Sequence, residues 1–130
     1  MPAVRRADDW RTAVRIGFEE ICGFFAAEPD FAALRMVDVY GAGPDAVASR
    51  DATGREIVSG LVRPPTESGR ELSPLVIEAT VGAILGVLFE AIRAGKLADL
   101  PRLSPVLTYF ALAPLTGAAE ACEVATSRGR

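Results

Sequence analysis

The 130 residues contain no histidine, which removes the commonest general base, triad member and zinc ligand together. Four acidic and basic residues remain worth weighing. Glu78 and Glu90 stand twelve positions apart in one apolar run, so on a helix their carboxyls sit about 18 Å apart along the axis and cannot share a proton or a substrate atom. Either one could bond across an interface or anchor a polar ligand atom; a solvated or snorkelled position is the reading preferred over both. Arg35 and Asp38, three apart, can pair across a helical turn; were it buried, Arg35 could orient a ligand carboxylate. Cys22 and Cys122 are a hundred residues apart and read as free thiols, with a disulfide or a sensor thiol as the alternatives. No nucleophile stands beside a base and an orienting group, so no catalytic residue, metal site or cofactor is expected and the chain does not read as an enzyme.

Half of the residues are apolar, enough for one buried core, and only 7% are aromatic, which favours close helix packing over a β-sandwich. Basic residues number 14 against 17 acidic, and no basic run exceeds Arg5-Arg6, so the clustered positive charge of a nucleic-acid surface is missing. The first ten residues lack the apolar stretch of a secretory signal, which points to the cytoplasm.

The expected architecture is all-α, an antiparallel bundle of about six helices over residues 8–127, with a stub at 1–7 and a polar tail at 128–130. Trp10, Val14, Gly17, Phe18, Ile21, Cys22 and Phe25 mark one face of a first helix, capped by Asp8 or Asp9 and ended by Glu28-Pro29. Asp30 restarts a second helix along Phe31, Leu34, Val37 and Tyr40 that stops at Gly41 and Gly43. Pro44 opens a third, with Ala46, Val47, Ile57, Val58, Leu61 and Val62 inward and Arg50, Asp51, Arg55 and Glu56 in water. A loop follows at 63–71. Ser73-Pro74 is a cap and N1 proline for a run, up to Gly95, that is apolar on nearly every side and is expected to be buried all round. Its length approaches a membrane span, but Glu78 and Glu90 within it argue for a soluble helix, because a carboxylate near mid-bilayer costs on the order of 2.5–3.5 kcal/mol. After a short loop at 96–101, two further helices are expected at 103–113 and 117–125, separated by Pro114.

Five or six helices cover only about two-thirds of such an apolar helix, leaving the rest for a second subunit. Ala79, Gly82, Ala83 and Gly86 form a small-residue track that admits a close helix approach, either to a partner or within the monomer. Leu107 and Phe110, with Leu112, Leu115 and Ala118, extend the apolar surface. The expected assembly is a homodimer closed by a four-helix bundle, two helices from each chain about a twofold axis.

A chain of short motifs resembles the C-terminal domain of TetR-type transcriptional regulators. They are Pro29-Asp30-Phe31 with Leu34-Arg35 and Val37-Asp38-Val39; Gly41-Ala42-Gly43-Pro44 with Arg50-Asp51; Glu78-Ala79-Thr80-Val81-Gly82-Ala83-Ile84; Gly95 with Leu100-Pro101, Leu103, Pro105 and Leu107; and Leu112-Ala113-Pro114-Leu115-Thr116-Gly117. The likeness spans residues 10–125, with Asp38, Ala83 and Leu115 where glutamate, glycine and tyrosine are commoner. It implies an effector pocket inside the bundle, walled here by Trp10, Phe18, Met36, Tyr40, Leu61 and Phe89, and a hydrophobic small molecule as effector. Each of these side chains also suits an ordinary core. The resemblance further implies a DNA-reading helix-turn-helix domain ahead of the first helix; only seven residues precede it, so this chain is expected to bind neither nucleic acid by itself nor membrane.

Overall fold

A computed structural model describes residues 9–31, 41, 43–64, 69 and 71–127, with the side chains of residues 49–51 left aside. Within it the chain is helical and has no strand among the described residues, which establishes the all-α helical bundle. We number the helices α1 (Trp10–Ala27), α2 (Pro44–Val62), α3 (Pro74–Arg93), α4 (Leu100–Thr116) and α5 (Ala118–Thr126), with a 3-10 turn at Leu97–Asp99 ahead of α4. Residues 29–31 are also helical, but the rest of the helix expected to restart at Asp30 lies outside the described residues, as do Arg35 and Asp38.

Local chemistry sets the boundaries. Asp9 Oδ1 accepts the Arg11 amide at 3.2 Å and starts α1, and α1 ends at Glu28, held out of the helical region by Pro29. Ser73 Oγ accepts the Val76 amide at 3.2 Å at the head of α3, where Pro74 costs no hydrogen bond. Replacing Ser73 with Ala is expected to lower stability by about 1 kcal/mol, read as a shift in urea midpoint at unchanged slope. At the far end, the Gly95 amide bonds Ile92 O at 3.1 Å and the Lys96 amide bonds Ala91 O at 2.9 Å, with Gly95 at φ 75°. This paired closure needs a left-handed residue, which is why a glycine stands there.

The C-terminal part differs from the sequence expectation. Pro114 does not separate two helices; α4 runs through both Pro105 and Pro114 to Thr116, and the break falls at Gly117, φ 88°. Proline removes one amide but does not by itself supply the reversed φ that turns a chain, whereas glycine does. Pro105 leaves the Pro101 carbonyl without its helical donor, and Ser104 Oγ takes that carbonyl at 3.1 Å. The expected loop at 96–101 is likewise mostly ordered as the 3-10 turn and the first turn of α4, with Pro101 at a position where its missing amide is harmless.

α4 is the centre of the molecule: α1 lies along it, α5 folds back on it, and α2 and α3 pack on each other and against it. The largest fully buried side chains are Phe18 and Cys22 of α1, Val62 of α2, Val81 and Ile84 of α3, and Leu100, Leu107, Thr108 and Leu112 of α4. Thr108 resolves its burial by donating to Ser104 O at 2.9 Å.

Candidate functional site

α3 departs most from expectation. Its buried positions are Val81, Ile84, Leu88, Ala91 and Ile92, one stripe facing α2 and α4, so the helix is not buried all round. Among the described residues, α2 and α4 are the main helices packed on it, and neither closes the opposite side. That side carries Leu75, which is 75% exposed, then Val76, Ala79, Gly82, Ala83 and Gly86, all exposed. A Cβ added at Gly82 or Gly86 would meet nothing within 4 Å, so the small-residue track is not used for packing inside the monomer. Along those three turns Glu78 is the one charged residue among the exposed positions. The stripe ends at Glu90 and Arg93, paired through Arg93 Nε and Glu90 Oε2 at 3.2 Å.

Glu90 is a member of a surface ion pair, and Glu78 is exposed at the stripe's margin. The hydrogen bond from Arg93 holds the Glu90 carboxyl below the ordinary carboxylate range. Whatever this pair adds to stability is present above that range and is lost as pH falls through the depressed folded-state value.

The second apolar surface is on α4. Phe110 is 41% exposed and Val106, one turn earlier, 42%. Leu107, expected at an interface, is completely buried, as is Leu112; both point into the core and cannot touch a partner. The register explains the error: an apolar helix has no polar face to show which stripe turns outward, and Leu107 sits on the core side of the Val106–Phe110 ridge.

Of the six positions expected to wall an effector pocket, Phe18 and Leu61 are core residues, Trp10 and Phe89 pack half-buried against the same cluster, and Met36 and Tyr40 lie outside the described residues. α1 and α2 meet closely where a Cβ on Gly17 would come within 2.6 Å of Leu61 Cδ2. The Arg11 guanidinium lies over the Trp10 ring at 5.1 Å, covering part of one ring face. Four of the expected residues thus share one apolar interior.

Three features escaped sequence reading. Leu75 and Val106 are the most exposed apolar members of their stripes, and each was legible as one turn before a singled-out residue, Ala79 and Phe110. Arg15 is 5% exposed; its Nη1 donates to Glu19 Oε1 at 2.7 Å while its buried Nε has no hydrogen-bond partner among the described residues. The available signal was its position, three residues before Phe18 on the inward face of α1. One turn earlier, Arg11 Nε is 2.9 Å from Glu120 Oε1, close enough for an ion pair but poorly aligned for a hydrogen bond.

Cys22 is buried and Cys122 exposed, both as free thiols. Burial pushes the Cys22 thiol up to about 11, so it stays protonated and unreactive near neutral pH. A thiol reagent is expected to label one cysteine rapidly in the native protein and the second only on unfolding. Among the described residues, no three metal-ligating side chains cluster to hold an ion. α3 is the one described helix long and apolar enough to cross a bilayer, by length and composition alone.

Compared with protein-family models, curated proteins and solved structures, the chain matches none.

Proposed function

We propose that this chain is the effector-binding and dimerisation domain of a cytoplasmic regulator of the TetR type, sensing an apolar small molecule. The observation that carries the reading is the solvent-facing stripe of α3, apolar apart from Glu78 at its margin, which an isolated monomer would leave in water. Removing apolar surface from water stabilises by about 25 cal/mol per Å², and a contiguous exposed patch ordinarily marks an interaction site. A second copy covering this stripe, with the Val106–Phe110 ridge extending the contact, gives a homodimer. The effector enters the apolar interior around Trp10, Phe18, Leu61 and Phe89, where it shifts helix positions by binding one arrangement better than another. In this reading DNA contact belongs to a helix-turn-helix module outside these 130 residues, in keeping with the net charge of −3 and the absence of basic clusters.

Native mass spectrometry on freshly purified protein tests both halves of the proposal. The expected result is a dimer of about 27 kDa, twice 13.7 kDa, that carries additional mass from a retained apolar molecule or gains it on incubation with an apolar library. A dimer that never takes up small molecules leaves a purely structural dimerisation module. A ligand-free monomer overturns the proposal.

A further inference from the structure

Building on the effector reading above, we infer that Arg15 is the polar anchor of the effector site and that the effector presents to it a neutral carbonyl-type oxygen, not a carboxylate. Arg15 is 5% exposed, at a position on α1 flanked by the buried Val14 and, three residues on, by the fully buried Phe18. Its Nε lies out of contact with solvent and has no hydrogen-bond partner among the described residues. A buried donor is nearly always bonded, and one on a charged group is costlier to leave bare than a neutral one, so the missing acceptor calls for an occupant. Its neighbours on α1 suit an apolar molecule: Phe18 is in the core, and Trp10, packed against that core, carries the Arg11 guanidinium over its ring at 5.1 Å. One polar group set in an apolar wall is the usual make-up of a small-molecule site, where the polar group fixes orientation.

The charge around Arg15 decides between a neutral and an anionic partner. Arg15 Nη1 already donates to Glu19 Oε1 at 2.7 Å. One turn earlier on the same face, Arg11 pairs with Asp9 Oδ1 through Nη1 at 3.3 Å, and its Nε stands 2.9 Å from Glu120 Oε1. Among the described residues, two guanidinium groups thus face three carboxylates, and each guanidinium already has a partner of opposite charge. A ligand carboxylate would have to enter against that excess of negative charge or displace Glu19. A carbonyl oxygen accepts the Nε–H bond and adds no charge.

Trp10 is the single tryptophan, so its indole N–H resonance reports binding on this part of α1. The probes are ethylbenzene, acetophenone and benzoate, which share a ring and carry no oxygen, a neutral carbonyl or a carboxylate. Acetophenone is expected to bind the unmodified chain about tenfold more tightly than ethylbenzene, and benzoate no more tightly than ethylbenzene. Arg15→Met keeps a long unbranched side chain and lacks the donor, while Glu19, half exposed, stays hydrated without its partner. It is expected to bring acetophenone down to the affinity of ethylbenzene, with ethylbenzene itself unchanged. Arg15→Lys, which retains the charge but not the Nε–H, is expected to lose the same preference and serves if the methionine variant does not fold. Equal binding of the two neutral probes to the unmodified chain would mean that water alone meets Nε and would overturn the inference. Tightest binding of benzoate, or a carbonyl preference that survives both substitutions, overturns it too; in each of these cases the effector reading stands. A resonance that no probe moves also overturns the inference, and the effector reading falls with it only if native mass spectrometry finds no retained molecule.

Discussion

Phe18→Ala is expected to lower the free energy of unfolding by about 3–5 kcal/mol, the usual cost of emptying a buried phenylalanine site. Phe18 is fully buried on the face of α1 that packs along α4, in the same cluster as Val62, Ile84 and Leu107. α1 packs on α4 and also touches α2 and α5, so it cannot shift to fill the cavity without opening another of these contacts. Small domains have only about 5–15 kcal/mol of total stability, so the loss is a large share of it. Denaturant titration at one fixed protein concentration measures it, since dimerisation makes apparent stability concentration-dependent. Ile57→Ala on α2, where Ile57 is 50% exposed, serves as the comparison and is expected to cost under about 1 kcal/mol. Equal losses would mean that Phe18 is not at the core.

The second large effect separates assembly from folding. Gly82→Leu combined with Gly86→Leu places two branched side chains on the outward stripe of α3, where no atom lies within 4 Å of an added Cβ. In the monomer these changes clash with nothing and raise helix propensity, by about 1 kcal/mol at each position. In the dimer they fill the space that two backbones need to approach. The expected outcome is a helical, cooperatively folding protein whose mass falls from dimer to monomer, checked by circular dichroism and light scattering on the same sample. Core variants behave the opposite way, losing stability before assembly.

Much of the fold was legible because its punctuation is chemical and local. Asp9, Pro29, Pro44, Ser73-Pro74 and Gly95 each act within one or two turns, and the structure places the helix ends where those side chains and missing amides put them. Pro114 misled because a proline can be carried inside a helix when its neighbours keep the remaining hydrogen bonds, and only Gly117, one turn later, supplies the reversed φ. Facing was harder to read than helicity. The 3.6-residue period finds the inward side of a helix only when the outward side is polar, as in α2, where Arg55 and Glu56 face water and Val58, Leu61 and Val62 do not; even there Ile57, expected inward, lies beside Glu56 on the outward side and is 50% exposed. α3 and α4 lack that contrast, so sequence alone could neither remove Leu107 from the interface nor show that the α3 track is open. The effector wall is less legible still, since large apolar side chains satisfy a core and a pocket by the same chemistry. Phe18 and Leu61 lie in the core cluster and Trp10 and Phe89 pack against it; the resemblance that named them does not say what else that interior admits.

The most direct test of the account is the solution mass of the unmodified chain, by light scattering across a hundredfold range of concentration. The account predicts about 27 kDa, two copies of 13.7 kDa, held at the upper end and dissociating only on dilution. A mass of 13.7 kDa at every concentration would mean that the α3 stripe has no second copy to cover it, and the dimer reading would fall with it.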